Sequence, residues 1–209
     1  MNFALRQSRL QRDDADPLAA TLCPRDTVVP GGLKRRHRKQ RRMPFTPFHL
    51  GPALFLGLLL FKFVDFPTLM VANVILDLEP LAVLVLGLNY PLHGFFHSFL
   101  GGTIVAIALG LVMLRLSGRA QAVMKLLALE QNSSHQAIML GSFLGVYSHI
   151  LLDAPLYADI RPFFPFDANP LFTGDQSAGT YVTALCVLLF LVGGAMYAAR
   201  LVARTRSEQ

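Results

Sequence analysis

The sequence predicts an all-α membrane protein, a polytopic bundle of about five transmembrane helices with the second helix broken at Asp77–Pro80. Three observations carry this. The 209 residues are 53% hydrophobic with a mean hydropathy of +0.46. Only 15% are charged, too few to clothe a soluble domain of this size. The apolar residues gather into long runs, all but the last of which carry Asp, Glu or His. Ionisable groups inside a membrane are costly and mark function by default.

The first span is expected over residues 47–64. Thr46 is a good N-cap, Pro47 suits the first helical position, and only His49 and Lys62 interrupt the run. At roughly 1.5 Å per residue it would rise about 27 Å, close to the hydrocarbon thickness. The second span, 67–88, has Asp65 placed to cap it and carries Asn73, Asp77, Glu79 and Pro80. Pro80 cannot donate to the Leu76 carbonyl, and Glu79 before it is pushed from helical geometry, so the helix should kink or open there. Broken helices recur as sites inside membranes. The bland alternative is a proline kink whose acids reach for water, and two carboxylates near mid-span speak against it.

The third span, 92–116, follows Asn89-Tyr90-Pro91. His93 and His97 stand at i and i+4, the spacing at which two imidazoles on one helix face reach one metal ion. Two interfacial histidines ending a helix among the headgroups would give the same spacing. A link over 117–134 carries Arg119, Lys125 and Glu130, and His135 closes it as a boundary residue. In the fourth span, 136–156, Gly141 and Gly145 share a face that continues to His149, a stripe suited to close packing. His149 and Asp153 repeat the i, i+4 spacing; they can share a metal, form a ligand with its orienting partner, or make a plain interhelical hydrogen bond. The loop over 157–179, with RPFFPFDANPLF, can cover a site or rest on headgroups, and its Arg161 can meet a phosphate or carboxylate. The fifth span, 180–201, is apolar scaffold ending in Arg200, Arg204 and Arg206.

Charge divides the chain at Met43. Residues 1–42 hold 11 Lys+Arg against 4 Asp, whereas residues 43–209 hold 8 against 9 Asp+Glu. The basic stretch with KRRHRKQRR is expected to be a solvated, disordered tail outside the membrane domain of residues 43–209. Anionic lipid is a conceivable partner for it; nucleic acid is not expected. It lacks the short apolar core and cleavage site of a signal peptide. Cys23 and Cys186 imply no disulfide framework.

Five spans beginning outside place Lys62, Arg115, Arg119, Lys125 and the C-terminal arginines on the cytoplasmic side, as basic residues prefer. The same threading brings His49, His93, His97, His149 and Asp153 into the outer leaflet, with Asp77 and Glu79 approaching from mid-span. Only the basic tail dissents. The expectation is that the biological chain starts at Met43 and that residues 1–42 come from an unused upstream start.

From about Pro44 to Phe172 the phrases TPFHLG, DLEP, HGFFHSFLGG, SHILLD and PFFPF occur in order. Together they resemble the bacterial and archaeal membrane-bound, predicted metal-dependent hydrolases, which include LexA-regulated inner-membrane members. The resemblance implies a multi-pass protein of the inner (cytoplasmic) membrane with His49, Asp77, Glu79, His93, His97, His149 and Asp153 as its functional set. Such a donor set suits zinc, or a pair of divalent ions, better than magnesium. His93, His97, His149 and Asp153 are the expected ligands, with Asp77 and His49 as further ligands or bridges. Glu79, at the helix break, is the expected general base for an activated water. An outer-leaflet site under an aromatic loop implies a lipid or lipid-linked ester, amide or phosphoester as substrate. The rival readings are a non-catalytic membrane sensor of metal or pH and a proton-coupled transporter.

Overall fold

A computed structural model describes residues 47–207, and every regular element among them is helical. A 3-10 turn, Pro47–His49, leads into α1 (Leu50–Leu59), followed by α2 (Phe66–Ile75) and α3 (Leu78–Leu86). A second 3-10 turn, Phe95–His97, precedes α4 (Phe99–Leu126), and α5 (His135–Asp153) and α6 (Gln176–Ser207) complete the order. Phe66–Leu86, Phe99–Leu126 and Ser177–Arg206 are long and apolar enough to cross a membrane. The chain is therefore all-α as expected, with the helices of a membrane protein. The basic stretch 1–42 and the Thr46 cap lie outside the described residues.

Two expected spans come out differently. α1 has ten residues, a rise of about 15 Å, half of what a span needs. It stops because the chain turns over Leu60–Val64, where Phe63 N–H donates to Leu60 O at 2.8 Å and Gln131 Nε2 donates to the carbonyls of Phe61 and Val64. α5 is nineteen residues long, but its His and Asp keep it out of the set that is apolar enough to span.

α2 packs against α5, α4 against α5, and α1 against α6. The glycine stripe sets the first of these contacts. A methyl on Gly145 would stand 2.5 Å from Ala72 Cβ and 2.8 Å from Leu69 O, so no other residue lets the backbones come this near. Ala72, Leu76, Ala106, Val146 and Ile150 form the core between the three helices. Outside it, Leu84, Val85 and Leu86 of α3 and Leu188, Phe190 and Leu191 of α6 are exposed, an apolar surface that only lipid would cover comfortably.

The break between α2 and α3 falls at Leu76 and Asp77, and Pro80 sits in the first turn of α3, where its missing N–H is tolerated. Backbone bonding shortens around it. Asp77 N–H donates three residues back to Val74 O at 3.0 Å, and Glu79 N–H takes the Leu76 carbonyl at 3.0 Å. The Asn73 carbonyl, which Asp77 would occupy in an unbroken helix, is thereby released. The i, i+4 helical placement of His93 and His97 is corrected: Ser98 Oγ accepts from Gly101 N–H at 2.9 Å and caps α4, so both histidines precede the helix. α4 then runs to Leu126 and absorbs the first half of the expected link.

At the opposite end of the bundle a polar clamp is fully bonded. Asp65 caps α2 as expected, accepting from Thr68 N–H at 3.1 Å and from the Thr68 hydroxyl, while Gln121 Nε2 at 2.9 Å and Ser133 Oγ donate to its other oxygen. Gln131 completes it, accepting from Phe66 N–H at 2.7 Å. Arg200 lies over the Phe61 ring, and Arg204 pairs with Glu130, so Lys62, Lys125 and the C-terminal arginines share this end. Asp65→Ala removes a cap and strands four donors, two of them buried, which should lower stability by about 2 kcal/mol. The expected result is a lower melting temperature in detergent with unchanged metal content, because the clamp is remote from the site described next.

Candidate metal centre

The α2–α5 contact places His149 where the helix break has freed a carbonyl. His149 Nδ1 lies 2.8 Å from Asn73 O. A carbonyl only accepts, so the proton is on Nδ1 and the Nε2 lone pair faces inward. His97 is held the same way: its Nδ1 lies 2.7 Å from Glu79 Oε2, while Glu79 Oε1 accepts from Phe96 N–H at 3.3 Å. His93 is the third case. Its Nδ1 and its backbone N–H both point to Asp159, at 3.1 Å from Oδ1 and 3.1 Å from Oδ2 respectively, and its ring lies against Tyr157 with centroids 4.1 Å apart. Histidine ligands usually donate their outer nitrogen to a carboxylate or carbonyl in this manner, which fixes the inner one for a metal.

The inner atoms converge. His149 Nε2 is 3.3 Å from Asp153 Oδ2 and 3.8 Å from Asp77 Oδ1, and His49 Nε2 is 3.2 Å from Asp153 Oδ1. Ligands about 2.1 Å from a tetrahedral zinc are about 3.4 Å from each other, so these separations are those of a metal's donors. Two triads, His49–Asp77–His149 and His93–His97–Asp153, each have one donor atom per residue within 4.8 Å of the others. All six residues are buried. His49 reaches the cluster from the 3-10 turn before α1, with its Nδ1 3.0 Å from His149 Nδ1.

Four of the inward atoms have no hydrogen-bond partner among the described residues: Asp77 Oδ2, His97 Nε2, His149 Nε2 and Asp153 Oδ1. The close approaches to Asp153 are near enough for attraction but not aligned for hydrogen bonds. The neighbouring Asn73 Oδ1 is unpartnered too. At about 1–3 kcal/mol for each orphaned buried group, the four inward atoms would cost about 4–12 kcal/mol, comparable to a domain's whole stability. Nor does any Lys or Arg pair with Asp77 or Asp153 among the described residues. Two buried carboxylates and several bare imidazole nitrogens fit a divalent cation, and these His/Asp groups can hold a metal.

All seven residues expected from the sequence meet here. Glu79 has both oxygens engaged, which is the posture of a carboxylate that orients His97. Asp159 is the residue that sequence reasoning passed over. Burial pushes its carboxyl up, but the His93 donors outweigh this and hold it below the ordinary carboxylate value, hence ionised at neutral pH. Its signal was its place in YADIR, just past the end of the His149/Asp153 helix, in the loop that Arg161 alone had drawn attention to. His135, read as a boundary residue, is the exposed first residue of α5. Comparisons with protein-family models, with curated proteins and with solved structures found no match.

His97→Ala and His149→Ala each delete an inward nitrogen, so elemental analysis of purified protein should show sharply reduced bound metal. Asp159→Ala leaves every inward donor in place but frees the His93 ring, and should weaken metal affinity by roughly 10- to 100-fold. Metal content indifferent to His97→Ala and His149→Ala would remove the ligand assignment.

Proposed function

We propose that this chain is a metal-dependent hydrolase of the inner membrane, acting on a lipid or lipid-linked ester, amide or phosphoester at the outer leaflet. The observation that carries the reading is the set of buried, inward donors, unpartnered on one side and fixed by hydrogen bonds on the other. Imidazole and carboxylate together favour zinc over magnesium or calcium. Each triad supplies three protein ligands, the number that leaves a zinc a free position for chemistry. The two triads would hold a divalent ion, which when bound would supply Lewis acidity to the bond under attack and lower the pKa of a nearby water.

The chain's own residues divide the remaining work. Glu79, Asp159 and the Asn73 carbonyl orient His97, His93 and His149. Asp77, whose Oδ1 lies toward His149 and would be its donor to the ion, takes the proton from the attacking water on the unpartnered Oδ2, in place of the fully engaged Glu79. The water's hydroxyl then joins the acyl or phosphoryl centre, and its proton passes to the leaving oxygen or nitrogen. Phe95, whose ring meets Phe164 edge-on with centroids 5.4 Å apart, helps to keep bulk water out.

Orientation follows from charge. Asp77 lies eleven residues beyond Phe66, about 17 Å into a hydrocarbon layer of about 30 Å, and the basic residues gather at the end where α2 begins. With those residues inside, the cluster lies toward the outer face. The phrases that resemble membrane-bound predicted hydrolases support the same assignment. Single cysteines at Lys62 and Arg204 should label from the cytoplasmic side and one at Asp167 from the outside; labelling of Asp167→Cys from within would sink this orientation.

Turnover is tested by screening lipid esters, amides and phosphoesters, with chelation and metal add-back. At saturating metal, Asp77→Asn should still lower the rate by roughly the hundred- to ten-thousand-fold typical of general-base loss, whereas a loss that excess metal restores would make Asp77 a ligand only. Glu79→Gln, which can still accept from His97, should lose about 10- to 100-fold in metal affinity and recover much of its rate at high metal. A loss with Glu79→Gln that excess metal does not restore would return the base to Glu79. A metal-loaded, monodisperse protein that hydrolyses nothing would favour a metal sensor.

A further inference from the structure

Two cavities meet at the 3-10 turn Phe95–His97, and they differ in chemistry. The first, about 240 Å³, is lined by Tyr90, His93, Phe95, Asp159, Arg161 and Phe164, and it opens on the loop side of the cluster. Among the described residues, Arg161 is the one Lys or Arg lining either cavity. Its guanidinium bonds Asp167 Oδ1 at 2.7 Å, but both side chains are exposed, so the pair is weak and can exchange for another anion. The second, about 450 Å³, is a groove between α3 and the start of α4. It lies within the roughly 300–1,000 Å³ of small-molecule sites. Leu78, Ala82, Val83, Phe96 and Val105 make it apolar, and among the described residues Glu79 is its one charged residue.

The groove exists because α3 stands off from the bundle. The turn at Leu76–Asp77 re-aims it, and it packs closely against no other helix among the described residues. Both walls belong to segments apolar enough to cross a membrane, so the groove is continuous with the surface that faces hydrocarbon. Its inner end reaches the cluster through Glu79, which holds His97. Tyr90 lines both cavities, and its hydroxyl accepts from Phe95 N–H at 2.9 Å, pinning the turn that divides them. Consecutive residues then face opposite ways: Phe95 lines the cavity that holds Asp159 and Arg161, Phe96 the groove, and His97 presents its Nε2 to the cluster.

We infer that the site binds a single-chain anionic amphiphile, its hydrocarbon chain in the α3–α4 groove and its phosphate- or carboxylate-bearing head against Arg161. The head–chain junction then passes Tyr90 beside His93 and His97. This deepens the hydrolase reading by naming the substrate class, although binding itself does not depend on turnover. Pre-formed membrane lipid and free amphiphile share this chemistry, and the probes separate them.

The test uses the full chain in phosphatidylcholine nanodiscs, with dodecyl phosphate, butyl phosphate and inorganic phosphate as titrants and binding followed by thermal shift. Dodecyl phosphate should bind best. Ala82→Trp, which fills the groove, should weaken it at least tenfold and leave butyl phosphate unchanged, and Leu78→Trp, at an exposed groove position, guards against a folding defect in the first variant. Arg161→Gln should weaken both alkyl phosphates by about tenfold, the worth of a charge-assisted hydrogen bond. Dodecyl phosphate binding unaffected by both tryptophans would overturn the chain assignment, and indifference to Arg161→Gln would overturn the head assignment. Saturation of the site by phosphatidylcholine alone, with Arg161→Gln silent, would overturn the anionic class. Chain-dependent binding without hydrolysis of any ester would leave this inference standing while the hydrolase reading fell.

Discussion

Because Pro80 has no N–H, the helix that starts at Phe66 cannot carry its hydrogen bonds evenly past Leu76 and Asp77, and the site is assembled from the backbone groups this displaces. Asp77 N–H moves to Val74 O, the Asn73 carbonyl is left to His149, and Glu79 N–H takes Leu76 O. Proline inside a helix costs about 3 kcal/mol or more, but in a first turn it costs far less. Opening the helix over two residues therefore converts an expensive interior proline into a tolerable one. It also leaves Asp77 at the head of α3 with no capping bond to make, free to face the histidines.

The two ends of the bundle handle buried carboxylates in opposite ways. Asp65, 2% exposed, has four donors and no cation, and is a finished structural part. Asp77, equally buried, offers an oxygen to which no described residue donates. The same chain that satisfies one carboxylate completely leaves the other open, so the orphaned atoms are a property of the site and not of loose packing. The glycine stripe joins these ends: Gly141 lies against the Asp65 backbone and Gly145 against Leu69, and the face they share continues to His149. Close approach at one end thus fixes the position of a ligand at the other.

Much of this was legible because cost leaves a mark in sequence. Histidines and acids inside apolar runs stand out, and a proline after two acids announces a break, so the seven residues that cluster and the α2–α3 interruption are legible in the sequence. What could not be read was long-range pairing. Asp159 sits in a polar loop where an aspartate costs nothing, and only the fold shows that His93 uses it. Gln131, which ends α1 by donating to carbonyls 70 and 67 residues away, is equally ordinary in sequence. The helical spacing of His93 and His97 misled for a local reason: Ser98 caps better than the residues before it, and the helix starts there.

A proton relay through the same residues would need a different arrangement. Each imidazole in a relay accepts on one nitrogen and donates on the other, so that neighbouring rings form a continuous chain. Here the outer nitrogens of His93, His97 and His149 are committed to Asp159, Glu79 and the Asn73 carbonyl, groups that fix a tautomer. The inner nitrogens of His97 and His149 have neither donor nor acceptor in hydrogen-bonding geometry among the described residues. Among the described residues one ring-to-ring bond is present, His49 Nδ1 to His149 Nδ1 at 3.0 Å, and His149 Nδ1 is shared there with the Asn73 carbonyl, so no run of rings extends beyond that pair. Bare nitrogens pointing at one another, held in place from behind and accompanied by two uncompensated carboxylates, repel each other unless something positive sits between them. That electrostatic requirement, more than any single distance, is what suits the cluster to holding a metal ion.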